Sequence, residues 1–187
     1  MTRPLLTCSS ATMAAALMLA LALMALALMS GACDSPGYVD HDSFEPTAVW
    51  SGSETGVAYR HELYDGTGVA QIRLARVDAT GRLVGSPVVV SNSAGRAHYP
   101  SVGWGADSYV IVWLQQSEPS RGIYLSRVSA DGDLVSGPNL LAPVHIQGAD
   151  ELARPTVLWT SDGWLVTWAR PDDGYRLEAA RLDPGGQ

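Results

Sequence analysis

Lysine is absent from the 187 residues: all 12 basic side chains are arginine, set against 19 acids, and the formal net charge is −7. No basic stripe runs through the chain. An acidic surface repels phosphate backbones, so no nucleic acid partner is expected. The missing lysine carries no functional reading by itself. Cysteine is scarce as well, with Cys8 and Cys33 the only two. If the segment holding Cys8 is removed, no disulfide can form within one chain, and the core must hold without a covalent tie. A helical period is missing after Ala32, which excludes a helix bundle. The signatures of several chemistries are missing too. There is no Gly-x-Ser-x-Gly elbow for a serine nucleophile, and no glycine-rich phosphate loop before a helix. His41, His61, His98 and His145 have no company at ligand spacing, so no metal and no other cofactor is expected. Acids such as Asp107, Asp131, Asp133, Asp162, Asp172 and Asp173 fall in turns, where Asp is a turn former rather than half of a catalytic pair.

What is present begins with a long apolar run. Residues 1–32 combine Arg3 near the start, an uncharged Ala-Leu-Met stretch from Ala11 to Met29, and small residues Ser30-Gly31-Ala32. That order is the pattern of a signal peptide. The run is also about long enough to span a bilayer, so an uncleaved anchor is the alternative. Cleavage would leave Cys33 as the first residue, with 11 Arg against 19 acids, a net charge of 11 − 19 = −8. A lone cysteine there resembles the bacterial lipoproteins, whose first mature residue is a lipidated Cys. Gly31 and Ala32 fit that family, whereas Ser30 stands where it usually has Leu. The resemblance implies a lipid on Cys33, a membrane as partner, and the cell envelope as location. Ordinary secretion is the alternative. Residues 33–45 are short, polar and acidic, and read as a flexible tether. Asp40-His41-Asp42 within it reads as solvated linker, since no Asp-Gly loop follows to shape an ion site.

From residue 46 to 187 one unit returns every 54 to 55 residues. Pro46-Thr-Ala-Val-Trp50, Pro100-Ser-Val-Gly-Trp104 and Pro155-Thr-Val-Leu-Trp159 open the three copies, and Tyr59, Trp113 and Trp168 follow nine residues after each Trp. Fixed self-similarity at such a period marks a repeat architecture. Each copy reads as a strand, a Gly/Asp/Ser turn, an apolar strand, a variable loop and a third strand carrying a shared arginine, Arg76, Arg127 or Arg181. Fourth strands are expected at Val88–Ser91 and Asn139–Ala142; the third copy lacks one. A hairpin turning at Asp107 would put Trp104, Val102, Val110 and Val112 on one face, and Tyr109, Ile111 and Trp113 on the other. Both faces are then apolar, so both must be covered. Antiparallel four-stranded sheets covered on both faces and repeated along a chain are the blades of a β-propeller. The expected fold is all-β: two complete blades and one incomplete, a partial propeller.

The text Pro-Ser-Val-Gly-Trp with Tyr-Val-Ile-Val-Trp, followed by Ile-Tyr-Leu-Ser-Arg-Val-Ser-Ala-Asp-Gly, resembles the propeller repeats of exported bacterial lipoproteins. Five of the six Trp occupy repeated positions or their hairpins, which assigns them to packing rather than sugar stacking. The repeated arginines imply a shared structural task. The expectation is therefore a non-enzymatic binding or scaffold module without catalytic residues. Its protein or glycan ligand would sit on the loops His61–Gln71, Gln115–Gly122 and Pro143–Arg154. The alternative is a piece of a larger propeller or glycoside-hydrolase-like enzyme with its catalytic residues elsewhere. Bare blade edges would also allow self-association.

Overall fold

A computed structural model describes residues 43–62, 68–91, 95–116, 121–144, 153–170 and 176–187. Residues 1–42, with Cys33 and most of the expected tether, lie outside the described residues, as do 63–67, 117–120 and 145–152 of the expected binding loops. The first sheet holds β1 (Ser43–Trp50), β2 (Thr55–Glu62), β3 (Ala70–Val77) and β4 (Val88–Val89). The second holds β5 (Ala97–Gly105), β6 (Ser108–Gln115), β7 (Gly122–Ser129) and β8 (Leu134–Pro143). The third holds β9 (Thr156–Thr160), β10 (Gly163–Arg170) and β11 (Arg176–Leu182). Strands pair antiparallel in chain order within each sheet. The all-β blade fold is as the repeat predicts.

Strand limits differ from expectation in places. β1 opens at Ser43 rather than Thr47, so Ser43, Phe44 and Glu45 belong to the sheet. β4 shrinks to two residues behind Pro87, which has no N–H to give the ladder, although Val90 N still donates to Ile72 O at 2.9 Å. β8 instead runs for ten residues, passing Gly137-Pro138 by register shifts against β7.

The facing pattern of the β5–β6 hairpin also needs correction. Its loop is the pair Ala106-Asp107, with φ of 45° and 53°, closed by Gly105 opposite Ser108. Two left-handed residues form the tight turn that matches strand twist. Trp104 therefore pairs with Tyr109, and Val102 with Ile111, so these four share a face. Centring the turn on Asp107 alone shifts register by one, and one residue of slip exchanges the faces of a strand.

Two cores result, one in each gap between sheets. Ala58, Ile72, Leu74 and Val90 of the first sheet meet Val102, Tyr109, Ile111 and Trp113 of the second. Val110, Val112, Ile123 and Leu125 on the other face of that second sheet meet Val157, Trp164, Val166 and Trp168 of the third. β6 is buried at every position because it is covered on both sides. Close approach is built in by glycine: a Cβ on Gly56 would stand 2.3 Å from the Tyr109 ring, and one on Gly105 2.2 Å from Trp159. Trp113, Trp164 and Trp168 are buried, and Trp104 and Trp159 pack on the cores, as expected; Trp50 is the exception at 54% exposed.

Two of the repeated arginines link one sheet to the next, and the third, Arg181, bonds Asp162 of its own sheet at 2.8 Å. Arg76 Nη1 donates to the Ala130 carbonyl in the β7–β8 turn, and Arg127 Nη1 donates to Gly185 O at 3.1 Å beyond β11. The structural role expected of them holds. Ser126 Oγ adds a bond to Val90 O at 2.7 Å, again across the gap between the first two sheets.

Candidate functional site

The first strands β1, β5 and β9 lie side by side and form the inner edge of the stack. Near the start of each runs the same local text, a variable residue, then Pro, then Ser or Thr, lying inside β1 and β5 and leading into β9. Glu45-Pro46-Thr47, Tyr99-Pro100-Ser101 and Arg154-Pro155-Thr156 together line a cleft of about 510 Å³. The cleft is thus one repeat position presented three times, with a different chemical group from each blade.

Backbone geometry sets those groups. Glu45 and Tyr99 both have φ of 54°. Left-handed backbone is costly for a side chain bearing a Cβ, and more so ahead of proline. Both residues lie inside matching interruptions of the ladder, between Phe44 and Thr47 and between His98 and Ser101. Such bulges re-aim a side chain away from the regular alternation. Here they bring Glu45 and Tyr99 to the cleft.

The three groups are joined in series. The Tyr99 N–H donates to Glu45 Oε2 at 2.6 Å, and His98 Nδ1 stands 3.8 Å from Glu45 Oε1. The Arg154 guanidinium lies over the Tyr99 ring, 4.6 Å from its centroid. Below them the Thr47 hydroxyl donates to Pro100 O at 3.3 Å, and Val157 N donates to Ser101 Oγ at 3.2 Å, tying the inner strands together. Burial pushes the Glu45 carboxyl up, but His98, the Tyr99 N–H and Arg60 together outweigh it and hold the carboxyl below its usual value. Glu45 is therefore a carboxylate at neutral pH. It suits accepting hydrogen bonds or a proton, not donating one.

Sequence reasoning misses this site. Glu45 falls in the stretch that reads as tether, His98 stands alone in the sequence, and Arg154 is only the end of a loop. The available signal is the period itself: Glu45, Tyr99 and Arg154 each precede the Pro that opens a repeat. No group of three or more His, Cys, Asp or Glu able to hold a metal occurs among the described residues. His61 is buried in β2, and His41 and His145 lie outside the described residues.

No protein-family model matches the sequence, and neither does any curated protein. Solved structures do resemble the fold. A thermostable family-43 glycoside hydrolase aligns with a TM-score of 0.49 at 13% identity, over 75% of this chain and 54% of its own. The alpha-L-arabinofuranosidase from Lactobacillus brevis gives 0.49 at 9% identity, over 74% and 52%. The native arabinanase Arb43A of Bacillus subtilis gives 0.45 at 16%, over 78% and 55%. The chain spans about half the length of these structures. All three are enzymes, and the expectation of a non-enzymatic chain is withdrawn on that finding.

Proposed function

We propose that the cleft at the inner strands binds a saccharide, and that the chain is the blade portion of a glycoside-hydrolase-like propeller with Glu45 as its substrate-facing carboxylate. One observation carries the reading: a carboxylate, an aromatic ring and a guanidinium reach one cleft from the same position of three blades. An ionised carboxylate accepts hydrogen bonds from sugar hydroxyls, or a proton from an attacking water. A guanidinium offers five donors in a fixed fork, and a tyrosine ring an apolar face with a polar tip. Hydrolysis of the usual kind works with two carboxylates. The described lining supplies one, so turnover calls for a second brought to the same end of the axis.

The test is a titration of the chain with neutral arabino-, xylo-, manno- and gluco-oligosaccharides by calorimetry. At least one series is expected to bind, with Glu45→Gln weakening it by about tenfold, or ~1.4 kcal/mol. No binding by any series, or equal binding by the variant, overturns the reading.

The location is proposed from the sequence: an exported chain held to a membrane by a lipid on Cys33. The apolar run, the small residues before Cys33 and the acidic stretch after it support this. Cys33→Ser is expected to release the chain from the membrane fraction. Unchanged retention would favour the uncleaved anchor.

A further inference from the structure

The gaps between sheets share one construction, and each half of that construction recurs, unused, at an end of the stack. In both gaps an arginine of the earlier sheet donates to a carbonyl in the turn that follows the third strand of the later one: Arg76 to Ala130, the second residue of its turn, and Arg127 to Gly185, the third residue of its own. Arg181 is the next arginine of the series. It turns back to Asp162 of its own sheet at 2.8 Å, with both side chains about two-thirds exposed. The matching turn of the first sheet is built like the other two. Asp78 N donates to Arg82 O at 2.9 Å and Gly81 N to Asp78 O at 3.0 Å. Ser129 with Asp133 and Asp183 with Gln187 repeat the pattern, at 2.8 and 3.0 Å. The Ala79 carbonyl thus stands where the Ala130 carbonyl stands one blade later.

The apolar faces match in the same way. On the third sheet Leu158 is 62% and Leu177 79% exposed, at positions equivalent to Gly103 and to the fully buried Ile123. On the first sheet Trp50 is 54% exposed, whereas its equivalents Trp104 and Trp159 pack into the preceding blade. Side-chain volumes are exchanged across the two ends. Gly103 leaves room for the Trp164 ring, which would stand 3.0 Å from a Cβ at that position; the third sheet carries Leu158 there instead. The position equivalent to Trp164 and Tyr109 is filled in the first sheet by the smaller Thr55. A large residue on one end thus faces a small one on the other, the complement that close packing requires.

We propose that a second copy of this chain covers the third sheet with its own first sheet, and that the contact is made reciprocally. Arg181 then donates to the Ala79 or Thr80 carbonyl in the matching turn of the other copy, and Leu158 packs over its Thr55. The three described sheets of each copy make a ring of 3 + 3 = 6 blades, inside the roughly four to eight of closed propellers. A head-to-tail contact that closes by rotation gives a ring rather than a filament. The ring carries two copies of Glu45 at one end of its axis. The contact itself stands independently of the saccharide reading.

Sedimentation equilibrium of the full chain in mild detergent tests it. A two-chain species is expected, and Leu158→Arg should weaken its association by about tenfold or more. Circular dichroism checks that the variant folds. A second arm places a photo-cross-linker at position 158 in mixed heavy and light isotope-labelled chains. Mixed-isotope products joining position 158 to the β1–β2 hairpin are expected. Single chains at every concentration, pairing that Leu158→Arg leaves intact, growth beyond two chains, or cross-links placed elsewhere overturn the proposal. Sugar titration of the same samples keeps this outcome separate from the function of the cleft.

Discussion

Two side chains carry charge behaviour that can be tested by pH. Glu45 titrates below the ordinary glutamate value of 4.5 in the fold. A carboxyl held low in the native state adds stability above its unfolded value, and that stability is lost as pH falls through the folded one. Wild type should therefore lose more stability than Glu45→Gln on descending from pH 4.5, read as urea midpoints; parallel curves would remove the carboxylate from the account. Tyr109 behaves in the opposite sense. Burial above all, opposed by the Ser51 hydroxyl and helped by the Glu54 carboxylate 2.9 Å from its own hydroxyl, pushes its phenol up to about 12. The neutral phenol is favoured by folding, so its contribution is complete below pH 10 and lost between 10 and about 12. Tyr109→Phe should flatten the alkaline loss of stability relative to wild type, with ellipticity followed across that range. Neither behaviour is legible in the sequence. Glu45 sits in an acidic stretch that reads as tether, and only the bulge around Pro46 turns it into the sheet.

At the scale of the element, the repeat exposes nearly every strand, because alternating and continuous apolar runs between Gly and Asp turns are local signals. Register is not local. The faces of β5 and β6 depend on whether the hairpin loop is centred on one residue or on the pair Ala106-Asp107, and composition does not distinguish these. The pair carries its own cost. Both residues are left-handed without being glycine, a conformation costing roughly 1–2 kcal/mol for most side chains. Ala106→Asn with Asp107→Gly supplies the sequence this turn prefers. The double variant should gain about 1 kcal/mol, measured as a rise in the denaturant midpoint at constant slope. No gain would mean that the turn is formed differently. The cleft is illegible for a related reason. Its three groups are 54 and 55 residues apart, at 99 − 45 and 154 − 99, and meet only when the blades stack.

For the molecule as a whole, stability is arranged along one direction. The middle sheet is covered by a core on each face, while each outer sheet shares one core. Repeat stacks hold through nearest-neighbour contacts, so damage should stay near the gap where it is made. Arg127→Met tests this. It removes the bond to Gly185 O across the second gap and leaves the Arg76 bond across the first. One hydrogen bond of this kind contributes about 1 kcal/mol net, and a loss of about 1 kcal/mol raises the open population roughly fivefold. Amide exchange should quicken by that factor in β11 and the 183–187 turn. β2 and β3 should keep their wild-type rates, and β6 should remain the slowest strand because both of its faces are sealed. Equal acceleration in all three sheets would show a single cooperative unit, in which the arginine acts on the whole fold rather than on one gap.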